Sequence, residues 1–187
     1  MSQGILTPEV GPDDHAHGPA DAPVTLVEYG DYECPHCGRA YRVLQQVLRE
    51  LGDQVRFVFR NFPLSEVHPH AQVAAEAAES VAARGGEEAF WAMHDLIYEN
   101  QDALQADDLI EYAAAADVNP EEVADDLASG ATSDRVRRDF RSGVRSGVNG
   151  TPTFFVNGRR FDGDWGDPDA FAAALQEIAR TRSYTRH

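Results

Sequence analysis

The chain has 187 residues, enough for one domain whose core needs no disulfide staples. Apolar residues make up 42% of it, which excludes a disordered tail, and 32 acidic against 16 basic residues give a net charge of −16. Every basic residue is Arg, and so acidic a surface repels phosphate backbones and anionic lipid, so neither nucleic acid nor membrane is an expected partner.

Residues 1–20 are rich in Pro, Gly, Asp and His and lack the apolar run of a secretory signal. They read as a flexible leader on a cytoplasmic chain, with His15 and His17 solvated. No stretch reaches the ~18 apolar residues of a membrane helix. Residues 24–29 are β-branched and aromatic, a strand that Gly30 and Asp31 break. From 39 to 51 the period becomes helical, with Ala40, Leu44, Val47, Leu48 and Leu51 on one face and Gly52 placed to end it. Residues 55–60 form a second strand. Strand, helix and strand make a βαβ unit, expected to be parallel and right-handed.

Residues 68–147 read as helices. An Ala-rich helix over 70–84 stops at Gly85-Gly86, and 87–100 carries Phe90, Met93 and Ile97 on one face. A helix over 107–116 follows. Asn119-Pro120-Glu121-Glu122 marks a helix start, with Asn119 as cap and Pro120 first inside, and Gly130 ends that helix. The helix over 133–143 carries Arg135, Arg137, Arg138 and Arg141, expected to pair with the acidic surface. A strand over 153–156, the tight turn Asn157-Gly158 and a strand over 159–161 make a hairpin. Asp167-Pro168 opens the last helix, with Phe171, Leu175 and Ile178 inward.

Neither β-containing piece can bury a sheet alone, so the economical fold is α/β. One sheet is built from both pieces and flanked by helices, with an all-helical subdomain inserted. The expected division is a leader over 1–20, a β-α-β half over 21–65, the helical insertion over 66–147, a β-β-α half over 148–181 and a tail over 182–187.

The only cysteines are Cys34 and Cys37, in Cys34-Pro35-His36-Cys37, just after a strand and at the start of a helix. A thiol must ionise to act as a nucleophile, and at the ordinary pKa of ~8.5 little thiolate exists at neutral pH. A helix N-terminus offers unpaired N–H groups and about half a positive charge, which favours a thiolate at Cys34. His36 adds an imidazole, and Cys37, one turn on, is within disulfide reach. Three other readings bear on the pair. Two buried small hydrophobes would make the strand–helix junction a coincidence. Zinc would need His68 and His70 as further donors, at an unusually tight spacing. Covalent haem attachment needs His at 38, which is Gly. A redox dithiol is the reading that a CxxC near a βαβ pattern favours.

A second signal is Gly150-Thr151-Pro152-Thr153, where a Pro directly precedes a strand and suits an edge or a cis bond. With the CPHC box, the helical insertion and the stretch Gly-Thr-Pro-Thr-Phe-Phe-Val-Asn-Gly, residues 21–181 resemble the DsbA-like branch of the thioredoxin fold. That fold has a central mixed sheet. The resemblance implies thiol–disulfide exchange with protein or peptide substrates. Cys34 is then the nucleophile and Cys37 the resolving thiol, and Pro35-His36 resembles the oxidising end of the family's dipeptides. It implies a cis Pro152 packed against the disulfide and a Thr151 that offers backbone hydrogen bonds to a substrate chain. It also implies that Glu28 lies beneath the disulfide, where a buried carboxylate could relay the Cys37 proton; an outward-facing strand acid is the alternative. No metal and no organic cofactor are expected, the chain is expected to be a monomer, and some redox partner must recycle it. Two other functions compete. One is a zinc-stabilised interaction module using the CxxC. The other is a glutathione-dependent transferase or isomerase on a related fold, which the second Cys argues against.

Overall fold

The computed structural model describes residues 4–184. Its elements are β1 (His15–His17), β2 (Val24–Gly30), α1 (Pro35–Leu51), β3 (Val55–Asn61), α2 (Ala71–Glu99), α3 (Ala106–Ala115), α4 (Pro120–Ser129), α5 (Ser133–Arg145), β4 (Thr153–Val156), β5 (Arg159–Phe161) and α6 (Pro168–Tyr184). The α/β class, with a mixed five-stranded sheet flanked by helices, agrees with the sequence reading. The chain forms two compact units. A sheet unit holds the residues up to 29, 39–60 and those from 142, and a helical unit holds 30–38 and 61–141.

In the sheet unit the strand order is β1-β3-β2-β4-β5. β2, β3 and β4 are buried almost along their whole length, the pattern of strands covered on both faces rather than of a half-wet sheet. β4 runs antiparallel to β2, with Leu26 opposite Val156 and Glu28 opposite Phe154. Asn157 and Gly158 both adopt positive φ, 50° and 83°, as a two-residue turn between β4 and β5 requires. Asn157 also extends the β2 pairing, since its Oδ1 accepts the Thr25 N–H at 2.8 Å. Phe171 of α6 is fully buried and lies against Phe154 and Phe161, at centroid distances of 5.3 and 5.2 Å.

The leader is the main departure from expectation. Residues 15–17 form β1, antiparallel to β3 with His15 opposite Phe59, and His15 is buried. What orders this segment is Arg60, whose side chain is only 3% exposed. Its guanidinium donates to both carboxylate oxygens of Asp14, at 2.8 and 3.0 Å, and to the carbonyls of Pro8 and Glu9. It also donates to the Tyr29 hydroxyl at 2.9 Å, and that hydroxyl shares a 2.8 Å hydrogen bond with Ser142 Oγ. A buried cation demands such a set of acceptors, and the leader supplies four of them. Tyr29→Phe removes the shared hydroxyl while keeping the ring. We expect it to cost about 2 kcal/mol in a urea unfolding curve; a change below about 0.5 kcal/mol would show the hydroxyl to be dispensable.

The helical unit follows its sequence signals closely. Asn119 Oδ1 accepts the Glu121 N–H at 2.9 Å, Pro120 opens α4, and Gly130 closes it with φ at 68°. α2 is two helices joined at Gly86, whose φ of 83° and ψ of −172° fit glycine alone among common residues. Small side chains keep its first half close-packed, with Ala71, Ala74, Ala75, Ala77 and Ala78 all buried. Arg135 of α5 turns inward rather than to the acidic surface, pairing with Asp139 and with Glu79 at 3.5 Å, whereas Arg137 makes an exposed pair with Asp134. At the C-terminus α6 runs to Tyr184, three residues into the expected tail; residues 185–187 lie outside the described part.

The unit boundaries also differ from the expected ones. The cysteine box groups with the helical elements and not with the β-α-β half, because its backbone is tied to them. Gln101 donates from one amide nitrogen to the carbonyls of Tyr32 and Cys34, at 2.9 and 3.0 Å.

Candidate active site

Cys34 immediately precedes the first residue of α1, and its carbonyl accepts the Gly38 N–H at 3.1 Å, the first bond of the helix. It therefore occupies the capping position, where the helix end favours negative charge. Cys37 lies three residues on, on the same face of the first turn. Both cysteines are free thiols, with Cys34 3% and Cys37 0% exposed, while Pro35 and His36 between them are exposed. Gly38 permits the next contact: a Cβ there would lie 2.0 Å from Gln101 Oε1.

Asp31 organises this turn. Its carbonyl accepts the Cys34 N–H at 3.1 Å, and its own N–H donates to Cys37 Sγ at 3.4 Å. Its carboxylate is fully buried and accepts the Glu33 N–H at 2.8 Å, the Leu64 N–H at 3.0 Å and a hydrogen bond from His68 Nδ1 at 2.7 Å. Glu33 takes a parallel pair from the next histidine, the His70 N–H at 3.1 Å and His70 Nδ1 at 2.7 Å. His68 and His70, weighed above as zinc donors, thus face Asp31 and Glu33. Among the described residues no three His, Cys, Asp or Glu side chains group as a metal site. Next in the chain, the Tyr32 hydroxyl meets His94 Nδ1 at 3.0 Å within a cluster that includes Trp91 and Tyr98.

The sequence reading took Asp31 only as a strand breaker and missed Gln101 altogether. One local signal for Asp31 was present: an Asp two residues before a non-Pro residue can bond that residue's N–H, as Asp31 does with Glu33. In the sheet unit, Glu28 is 1% exposed on β2, so it is not an outward-facing strand acid. The Thr151–Pro152 peptide is cis, and the two residues are half-buried just before β4. Thr153 Oγ1 donates to the Gly150 carbonyl at 2.7 Å and holds that turn.

A family model described as Thioredoxin matches residues 11–177. A curated relative, the Na(+)/H(+) antiporter NhaA 3 of Salinispora tropica, is 45% identical over 184 residues. That match covers 97% of this chain but 28% of the antiporter, so the chain spans little more than a quarter of the relative's length. No helix among the described residues is long and apolar enough to cross a membrane. Oxidised BdbD from Bacillus subtilis superposes with a TM-score of 0.80 at 25% identity, covering 89% of this chain and 93% of BdbD. The reduced disulfide bond oxidoreductase DsbG of Mycobacterium tuberculosis gives 0.70 at 23% identity, covering 94% and 95%.

Proposed function

This chain belongs to the thioredoxin family, in its DsbA-like branch, and on that premise we propose that it exchanges disulfides with protein or peptide thiols through Cys34 and Cys37. The observation that carries the reading is the pairing of the two cysteines across the first turn of α1, with one residue, Asp31, bonded to both. In the oxidising direction a substrate thiolate attacks Cys34 Sγ of the Cys34–Cys37 disulfide. That S–S bond breaks, Cys37 leaves as a thiolate, and a mixed disulfide joins Cys34 to the substrate. A second substrate thiolate then attacks the substrate sulfur of that bond, and Cys34 leaves as a thiolate. Two electrons have passed from the substrate dithiol to the cysteine pair. In the reducing direction the Cys34 thiolate attacks a substrate disulfide and Cys37 resolves the mixed disulfide.

By the family resemblance, Thr151 and Pro152 bind the substrate backbone, Glu28 relays the proton of Cys37, and the exposed Pro35 and His36 set the character of the box. The reaction needs no metal or organic cofactor, only a redox partner to reset the pair. We place this exchange in the cytoplasm, on a monomer. The test is equilibration of the pair against glutathione buffers, alongside reduction of insulin by dithiothreitol with and without the protein. Faster insulin reduction is expected, and the potential assigns the direction. A value near about −120 mV marks a strong oxidant and one near about −270 mV a reductant. A pair that equilibrates with no disulfide would overturn the reading.

A further inference from the structure

His68 lies 34 residues after the first cysteine, on the segment between β3 and α2, yet it enters the cysteine turn through Asp31. The Asp31 carboxylate is wholly enclosed, while the imidazole that caps it is 21% exposed and open to solvent protons. A buried carboxylate with two backbone donors and one imidazole is best satisfied when that imidazole is charged. The same residue's N–H and carbonyl hold Cys37 and Cys34. Any change of charge on His68 therefore falls on a residue in direct contact with both halves of the reacting pair.

We propose that His68 is a positioning residue for disulfide exchange: fixed by Asp31, its imidazolium stabilises the Cys34 thiolate and with it the reduced dithiol. The proposal rests on the exchange reaction assigned above and adds to it a group outside the CPHC box. Burial works against a charge on His68, but the hydrogen bond and charge of Asp31 together with the charges of Cys34 and Glu33 outweigh it, and its pKa is raised above the ordinary histidine value. The charged groups bearing on His68 are thus Asp31, Glu33 and Cys34, with Glu33 itself paired to His70. Such coupling is reciprocal: a thiolate that favours the imidazolium is favoured by it to the same degree. In the oxidising direction the benefit falls on the last step, where the bond between Cys34 and the substrate breaks and Cys34 departs with the electron pair.

His68→Gln keeps a donor for Asp31 and removes the charge. At neutral pH the glutathione equilibrium of the variant should shift against the dithiol by about tenfold, about 30 mV toward more reducing potentials. The thiolate absorbance of the reduced variant should appear at higher pH than in the parent. Both differences should close as the pH rises past the titration of His68, and His70→Gln, at the half-buried pair with Glu33, should show neither. By reciprocity, the His68 ring in Cys34→Ser should titrate at lower pH by NMR, a readout that leaves the Asp31–His68 pair intact. A shift below about twofold at neutral pH, or one that persists unchanged into alkaline buffers, would reduce His68 to a loop anchor. Should the parent protein exchange no disulfide, the assigned reaction fails, while the two titrations still decide whether His68 and Cys34 are coupled.

Discussion

Cys34→Ser should lower disulfide exchange to the uncatalysed background, whereas Cys37→Ser should accumulate covalent complexes with its substrates. The asymmetry follows from placement. Cys34 stands at the helix cap, where its carbonyl makes the first helical bond and the helix end favours the thiolate. Cys37 is fully enclosed and holds the Asp31 N–H, which suits it to attack from within once a mixed disulfide has formed on Cys34. A hydroxyl at 34 is no nucleophile at neutral pH, and it cannot form the mixed disulfide that every later step requires. A hydroxyl at 37 leaves the first step intact and removes the second, so the intermediate persists. Non-reducing gels of each variant after incubation with a disulfide-bonded substrate read this directly. Residual exchange in Cys34→Ser above background, or adducts that form on Cys37 instead, would reverse the two roles.

The legible parts of this fold are those whose cause is local. Asn157-Gly158 dictates its own turn, Asn119-Pro120 its own helix start, and Gly85-Gly86 its own break. The box at the start of α1 is likewise a statement about adjacent residues. The leader was misread because its order comes from Arg60, 46 residues away from Asp14, and composition alone suggests disorder. Asp31 was misread because its partners Leu64 and His68 arrive from beyond β3. Charged residues on a net −16 chain read as solvated surface until a structure shows which of them turn inward. The site's local chemistry was therefore visible in the sequence, and the electrostatic frame behind it was not.

The same point gives the other large expected effect. Arg135→Met should destabilise the protein by about 3–5 kcal/mol at neutral pH, and by clearly less near about pH 4. In α5 the guanidinium serves two buried carboxylates, Asp139 and, at 3.5 Å, Glu79. Asn61 binds the same pair, donating its side-chain N–H to Glu79 at 2.8 Å and both its backbone and side-chain N–H to Asp139 at 3.0 Å. Burial is the largest influence on Asp139 and raises its pKa; the Glu79 charge adds to that, while Arg135 and the Asn61 N–H oppose it, and the balance stays above the ordinary carboxylate value. A carboxyl raised in the fold contributes stability below its unfolded pKa, and that contribution is lost as the pH climbs through the folded value. Removing Arg135 lifts the folded value further and widens the window over which stability falls as the pH rises. Once both states are protonated the cation matters little, so the gap between variant and parent should narrow as the pH falls. Asp139→Asn added to Arg135→Met should recover part of the loss at neutral pH, because the amide removes the charge and keeps an acceptor for Asn61. Urea unfolding of the three proteins at the two pH values measures each quantity. A loss below about 1 kcal/mol at neutral pH, or one equally large in acid, would show that Arg135 acts through packing of its stem and not through the two acids.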